Sequence, residues 1–457
     1  MKKGTLIIIL FLLNSTFIQA NEARIITLEQ AIQIALDQNI EIQLGKNEIE
    51  RQESQLRRSR ADFLPNLNAT TSGSRTIGRQ FDMATITFDD ITSNNLNANI
   101  SANMVVFNGL QNINQLRSSR LGVESAEERY QRVREGIIFQ TASAYLNYLL
   151  AAELLEIEKE NLSAGLRQLE QVEAQVEVGM RPIVDLFSQE SIAANNELAV
   201  IQRENQLNLS KLRLLRILQF DPMEEVEFVA PTIQEEELVI RDFDLVELIE
   251  HALQSRSDFR ASELELQQAR YALSISKGMR LPEVSLSASL SSAYRGQQRD
   301  PLTGSVMAFD DQFFDANINR SVSFNVRIPI FNRLQTTTQI QQRRIDFKNA
   351  ELRLEDLQQE MYLELQQAYN DYIGYAKELE ATEKALIAAE KAYETEQERY
   401  NVGSATLIEL TNANNAYVRA SSNRVQAVFQ FVFQEKVLDY FLGRITEDFQ
   451  ISALSEN

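Results

Sequence analysis

The chain has 457 residues, of which 65 are acidic and 45 basic, and its formal net charge of −20 argues against nucleic acid or anionic lipid headgroups as partners. It contains no cysteine, so we expect no disulfide, no thiolate chemistry and no lipid attached to an N-terminal cysteine. With only 15 glycines and 7 prolines, the composition predicts a mostly helical protein.

Residues 1–20 have the pattern of a secretory signal peptide. Lys2 and Lys3 precede an apolar run over 6–13, and the segment ends at Ala20. An apolar run of this length is too short to span a bilayer as a helix. No later stretch reaches about 18 consecutive apolar residues, so we expect no transmembrane helix in the rest of the chain.

The remaining chain is duplicated. V-F-N at 106–108 recurs as I-F-N at 330–332, an offset of 224 residues, whereas L-P at 64–65 recurs at 281–282, an offset of 217. The seven-residue difference places a longer loop in the second copy. The predicted organisation is a first repeat over 21–218, a linker over 219–242, a second repeat over 243–443 and a C-terminal tail over 444–457.

Each repeat contains alternating segments that predict β-strands. From Asn95, apolar side chains point to one face and Asn or Ser to the other, and the second repeat has the same pattern. Strands of nine to eleven residues with this alternation fit a transmembrane barrel, although a soluble sheet with one buried face is the alternative. The signal peptide and the duplication favour the membrane interpretation. The predicted strands cover about 65–74, 95–106, 283–291 and 318–330.

A very long helix follows the strands in each repeat. Apolar residues at alternating spacings of three and four predict coiled-coil helices over 108–177 and 332–401, each about 105 Å long if unbroken. Shorter return helices are predicted over 183–218 and 407–443. We expect a rod of long helices beside stacked shorter ones. The linker and the tail form a collar at mid-height.

Four strands in one chain cannot close a barrel, and an open sheet edge is not tolerated in lipid. Two chains would supply eight strands, whose lumen side chains fill, whereas three would supply twelve and leave room for a channel. The polar Asn/Ser face favours the trimer. The residues expected to face outer membrane lipid are Leu96, Ile100, Leu286, Phe324 and Val326.

Several motifs in this order resemble the TolC family of outer membrane efflux proteins. R-Y-N-V-G-S-A-T-L-I-E-L at 399–410 and V-G-M-R-P-I-V-D-L at 178–186 resemble the family's two hairpin tips. The V-F-N-G and I-P-I-F-N junctions at 106–109 and 328–332, and T-L-E-Q-A-I at 27–32, match as well. The resemblance implies a mainly α fold with membrane β-strands: a homotrimer with a 12-strand β-barrel and a periplasmic α-barrel. It also implies a periplasmic adaptor and an inner-membrane pump as partners of an efflux or secretion duct.

The resemblance also implies roles for individual residues. Two tip segments would contact the adaptor, although their glycines could instead simply cap the long helices. Tyr400 and Asp185 would form a gate contact through a hydrogen bond, while Ala405 stands where the family has an arginine. Glu409 and Asn412 fall on the constriction, giving three carboxylates in a trimer whose crowding would favour partial protonation. The residue pattern alone favours the alternative that Glu409 is an ordinary solvated helix residue. The tip segments are Val178, Gly179, Met180, Val402, Gly403 and Ser404.

No pattern in the sequence predicts catalysis. His251 is the single histidine, and a half-buried helix position accounts for it better than a ligand role. We find no HExxH, phosphate-binding or nucleophile motif, and we expect no catalytic residue, cofactor or metal. Two other hypotheses remain: a secreted coiled-coil scaffold without channel activity, and a periplasmic adaptor module.

Overall fold

The computed structural model describes residues 24–82, 86–229 and 243–446. The predicted signal peptide, residues 230–242 of the linker and residues 447–457 of the tail lie outside these ranges. The elements in chain order are β1 (Arg24–Ile26), α1 (Leu28–Gln38), α2 (Ile40–Ala61), β2 (Asn66–Asp82), β3 (Thr87–Asn108), α3 (Gln111–Glu177), α4 (Ile183–Leu218), β4 (Val226–Phe228), α5 (Leu245–Ser255), α6 (Ser257–Gly278), β5 (Glu283–Arg295), α7 (Phe309–Asp311) with a π-turn (Gln312–Ala316), β6 (Asn319–Arg327), α8 (Gln335–Asn401) and α9 (Leu407–Phe441).

The four longer strands form one antiparallel sheet in the order β2-β3-β5-β6. Its register places apolar side chains opposite apolar ones and polar side chains opposite polar ones. Leu286 pairs with Met104 and Phe324, whereas Ser289 pairs with Ser101 and Ser321. One face is therefore apolar and the other is lined by Asn and Ser, as the alternation predicted. β2 and β6 are the edge strands of this sheet within the chain.

The strands differ in extent from the sequence pattern. β2 continues to Asp82 and β3 starts at Thr87, because their pairing holds without a register shift far beyond the alternating segment. At the other end, α3 starts at Gln111 instead of 108. Gly109 and Leu110 adopt left-handed φ values of 67° and 65° there and form a turn that separates the end of β3 from the start of α3.

The turn at Gly109 also lies against the end of α6. A Cβ on Gly109 would meet the carbonyl oxygen of Gly278 at 2.3 Å, and one on Gly278 would meet the carbonyl oxygen of Gly109 at 2.5 Å. Only two glycines allow the backbones to approach this closely. This contact joins the strand-to-helix junction of the first repeat to the helix that leads into the sheet in the second.

The two long helices have 67 residues each and are therefore about 100 Å long. The first part of α3 packs against α2 and α6, and its last part packs against α4. Side-chain hydrogen bonds mark both contacts: Ser119 with Ser59 on α2, and Gly165 with Gln189 on α4. α8 likewise packs against α6 and α9, so shorter helices flank each long one. No helix in the described ranges combines the length and apolarity needed to cross a membrane.

The main hydrophobic core lies at mid-height of the helices. β1 pairs in parallel with β4 of the linker, and the buried Tyr145 hydroxyl donates to the backbone oxygens of Ile26 and Val229. Ile445, at the start of the tail, is buried in the same cluster. The described parts of the linker and of the tail thus pack around the helices at this level.

A buried ionic network connects the two repeats near this core. The guanidinium of Arg256 pairs with Asp258 at 2.6 Å and with Glu364 of α8 at 2.7 Å. Arg132 of α3 pairs with Glu135 and with Asp258. The pKa of Asp258 lies below its ordinary value, because these two arginines outweigh the effect of burial.

Candidate functional site

The two hairpins between long and return helices end in the same backbone turn. In each, a glycine with positive φ follows the helix: Gly179 at 74° and Gly403 at 77°. The Met180 amide donates to the Gln175 oxygen, and the Ser404 amide donates to the Arg399 oxygen, which closes a Schellman cap. Because no atom lies within 4 Å of where a Cβ of either glycine would be, the positive φ alone favours glycine there.

Large apolar side chains surround these turns in an exposed position. Val178, Met180 and Val402 are 70%, 76% and 79% exposed. Ile183, Val184 and Phe187 of α4 and Ile408 of α9 are exposed as well. A group of this size is unusual on a surface that solvent alone contacts. The geometry thus allows both interpretations of the tips, a helix cap and a contact surface.

The predicted hydrogen bond between Tyr400 and Asp185 is absent. The Tyr400 hydroxyl is buried, and the polar side chain beside it is Gln168 of α3 rather than Asp185. Asp185 instead pairs with Arg181 at 3.4 Å, one helical turn away. The Arg181 guanidinium lies over the Tyr400 ring, 4.2 Å from its centroid.

Arg181 takes the place between the two residues and contacts both. Ala405 stands where the family has an arginine, yet the first hairpin supplies one in Arg181. Gln175 holds its orientation, since the Arg181 Nε donates to the Gln175 Oε1 at 2.6 Å. Burial raises the pKa of Tyr400, although the nearby Arg181 acts in the opposite direction, so the ring is neutral and forms a cation–π contact.

Glu409 caps α9. Its carboxylate accepts hydrogen bonds from the backbone amide of Thr406 at 2.7 Å and from the Thr406 hydroxyl at 2.9 Å, in a capping box. These bonds hold the pKa of Glu409 below its ordinary value, the backbone bond most strongly. Within the chain they oppose the partial protonation that crowding in a trimer predicts. Asn412 is exposed one turn further along α9.

A polar layer that the sequence analysis missed lies between the two hairpins, just beyond Tyr400. A half-open cavity of about 280 Å³ lies between α3, α4, α8 and α9. Asn414 of α9 donates to the Asn161 side chain of α3 at 2.9 Å, and the Gln168 side chain lies beside the Tyr400 hydroxyl. In the sequence, an isolated Asn or Gln at a coiled-coil position is only a weak indication of such a polar layer. The amide side chains that line it are Gln168, Gln171, Gln189, Asn196, Gln397, Asn401 and Asn414.

The single histidine is hydrogen-bonded to neighbouring side chains of the protein. His251 Nε2 accepts a hydrogen bond from Arg444 Nε at 3.1 Å, and its Nδ1 lies 3.0 Å from the Ser255 hydroxyl. Burial and then the charge of Arg444 lower its pKa. Among the described residues, no group of three or more His, Cys, Asp or Glu could hold a metal ion.

Comparisons with known proteins agree with this architecture. The family model described as outer membrane efflux protein matches residues 31–218 and 248–444. Outer membrane protein TolC of Vibrio cholerae is 24% identical over 348 residues, covering 72% of this chain and 74% of that protein. Outer membrane efflux protein BepC of Brucella suis is 22% identical over 349 residues, covering 76% of this chain and 72% of that protein.

Solved structures show the same fold at low sequence identity. CusC superposes with a TM-score of 0.79 at 18% identity, over 91% of this chain and 92% of that chain. The outer membrane protein VceC from Vibrio cholerae gives a TM-score of 0.78 at 16% identity, over 91% of this chain and 96% of that chain.

Proposed function

The chain belongs to the outer membrane efflux protein family and is an outer membrane efflux or secretion channel, and from this we propose that three copies assemble into one duct. In the duct, three four-stranded sheets form a 12-strand β-barrel and the long helices form a tunnel through the periplasm. The tips dock on a periplasmic adaptor that connects to an inner-membrane pump. Family membership gives no support to the scaffold hypothesis.

The observation that carries the proposal is the sheet with two open edges and two chemically distinct faces. Among the described residues, the backbone groups on the outer edges of β2 and β6 lack a neighbouring strand. Phe324 and Val322 on the apolar face are 67% and 77% exposed. Pairing β6 of one copy with β2 of the next satisfies both edges, turns the apolar face to lipid and encloses the Asn/Ser face.

The tips support the proposed docking. Val178, Met180 and Val402 present an apolar surface at the end of each hairpin, where a partner would bury them. Directly behind this surface, the contact of Arg181 with Tyr400 joins the first hairpin to the second. A partner that binds the tips is therefore well placed to separate the hairpins, which is the proposed route to opening.

Disulfide crosslinking tests the trimer, because the natural chain has no cysteine. One cysteine is placed on β2, scanned around Thr70, and a second on β6 at Ser323, both on the polar face. Oxidised membranes from the double variants should give a ladder on a denaturing gel that ends at three chains. Single-cysteine variants should give no trimer.

A pair within the chain controls for the oxidation chemistry. The hydroxyls of Ser289 on β5 and Ser321 on β6 are 2.7 Å apart, so the pair Ser289→Cys with Ser321→Cys should close a bridge whatever the assembly. A ladder that runs past three chains, or no crosslink at any scanned pair while this control is oxidised, would contradict the proposed barrel.

A further inference from the structure

The loop between β5 and β6 is the element that breaks the duplication, and it has a defined structure. The Gln312 side chain is fully buried: its Oε1 accepts from the Arg295 amide and its Nε2 donates to the Met307 oxygen, both at 2.9 Å. Asn317 donates to the Ala293 oxygen. These bonds fix residues 296–318 on the end of β5.

The loop folds back onto the apolar face of the sheet. Side chains alternate along a strand, so Tyr294 shares the face of Leu286 and Leu290. The Tyr294 ring packs against Phe309 at 5.2 Å between centroids. On the same face, the Ser292 hydroxyl donates to the Phe313 oxygen. The loop thus lies against the apolar face at Ser292 and Tyr294, while Leu286 and Leu290 on the same face stay exposed.

Four aromatic rings form a cluster there. Phe309 stacks on Phe313 at 5.1 Å, and Phe313 contacts Phe314 edge-on at 5.2 Å. The outermost ring, Phe314, is 64% exposed, whereas Tyr294 is partly covered. The acidic residues of the segment, Asp310, Asp311 and Asp315, are exposed as well. The segment therefore presents aromatic rings and carboxylates at one level of the sheet.

The level of the cluster follows from strand geometry. Val284 pairs with Phe107 at the strand-to-helix junction, and Tyr294 lies ten residues further along β5. At about 3.4 Å per residue and a tilt of about 40°, this distance corresponds to about 25 Å along the barrel axis. The lipid-facing apolar band of outer membrane barrels is about 25 Å tall. Measured from the strand-to-helix junction, the cluster thus lies one such height away, at the far boundary of a band that begins there.

We propose that Tyr294, Phe309, Phe313 and Phe314 form an aromatic anchor that binds the outer membrane lipid surface at the boundary between acyl chains and headgroups. Aromatic rings are favoured at this level. The cluster is continuous with the apolar face of the sheet, which identifies lipid as the occupant. This inference rests on the proposed insertion of the sheet into the membrane.

The absence of tryptophan from the chain allows a direct test. Phe314→Trp introduces a single tryptophan into the full-length protein, which is reconstituted in phosphatidylcholine vesicles with bromine placed either high or deep on the acyl chains. Shallow bromines should quench the emission at least about twofold more than deep ones, as expected for an interfacial ring. Phe309→Trp, at a position that is 39% exposed, should report the same depth.

Two control variants separate the outcomes. Leu302→Trp, in the same loop at a position that is 96% exposed, should emit as in water and escape both quenchers. Val322→Trp, near the middle of the band, should be quenched most by deep bromines. If Val322→Trp is not quenched, membrane insertion itself is wrong.

If Val322→Trp behaves as expected while Phe314→Trp emits as in water, the anchor is wrong and the channel stands. Blue-shifted emission of Phe314→Trp without quenching at either depth would also overturn the anchor, because it would place the ring against protein.

Discussion

Replacing Arg181 with alanine should open the proposed gate. Arg181 is the residue whose contact with Tyr400 joins the two hairpins at the tip, with its guanidinium 4.2 Å from the ring centroid. Its other contacts, with Gln175 and Asp185, stay within the first hairpin. Arg181→Ala therefore removes an attraction between hairpins together with two side-chain contacts inside the first hairpin, while the backbone bond from Met180 to Gln175 remains.

The magnitude follows from the burial of the contact. The Arg181 side chain is 19% exposed and Tyr400 is 1% exposed, so the cation–π contact contributes about 1–2 kcal/mol, in the upper range for such contacts. Since about 1.4 kcal/mol is tenfold in an equilibrium, the closed state should lose about 5- to 30-fold in population per chain. The lost pair with Asp185 adds little, because both partners belong to one hairpin.

Single-channel recording in planar lipid bilayers measures this effect. Arg181→Ala should increase the time spent at high conductance. Arg181→Lys should resemble it, because an ammonium lacks the planar face that stacks on the ring. Tyr400→Leu should also open the channel, and the double variant should add little beyond either single change, since both remove the same contact.

Arg399→Ala is the matched control. Arg399 lies at the same tip, but its bonds to Glu396 and Ser404 stay within the second hairpin, so conductance should remain near that of the wild type. The gate assignment is refuted if Arg181→Ala conducts like the wild type, or if the effects of Arg181→Ala and Tyr400→Leu are fully additive.

Three further predictions concern charge, docking and pH. Glu409→Gln should abolish the block of channel current by divalent cations in bilayers while keeping the helix cap, because Gln also serves in a capping box. In the wild type, this block should persist below pH 4.5, the ordinary carboxyl pKa, since the bonds from Thr406 lower the Glu409 pKa. Gly403→Ala and Gly403→Trp both place a side chain at a φ of 77°, which costs about 1–2 kcal/mol in either variant. If bulk at this tip blocks docking, the Ala variant should restore export in a deletion strain and the Trp variant should not. Equal export by the two variants would contradict docking at this tip. Because the His251 pKa is lowered in the folded state, its contribution to stability is present above the unfolded-state pKa near 6.5 and is lost as pH falls through the folded-state pKa. His251→Gln should remove this part of the pH dependence of thermal unfolding. An unchanged pH profile would exclude a contribution from His251.

The sequence determined the elements and the chemistry of the sheet. The alternation from Asn95 and its copy in β5 separated an apolar face from an Asn/Ser face, and the register confirms this separation. The spacing of apolar residues likewise predicted two very long helices, and α3 and α8 are observed. Such patterns can be read without a structure because side-chain direction repeats every two residues in a strand and about every 3.6 in a helix.

The tertiary structure decided which distant residues meet. Arg181 contacts Tyr400 because the two hairpins pack side by side, and no local pattern links an arginine after one turn to a tyrosine before another. Glu409 was predicted as a constriction charge, and its bonds to Thr406 add a capping role. The loop after β5 is held at the end of that strand because buried Gln312 accepts a hydrogen bond from the Arg295 amide. Periodicity sets which face a side chain occupies, whereas contacts between elements depend on how those faces pack, and packing is a property of the whole fold.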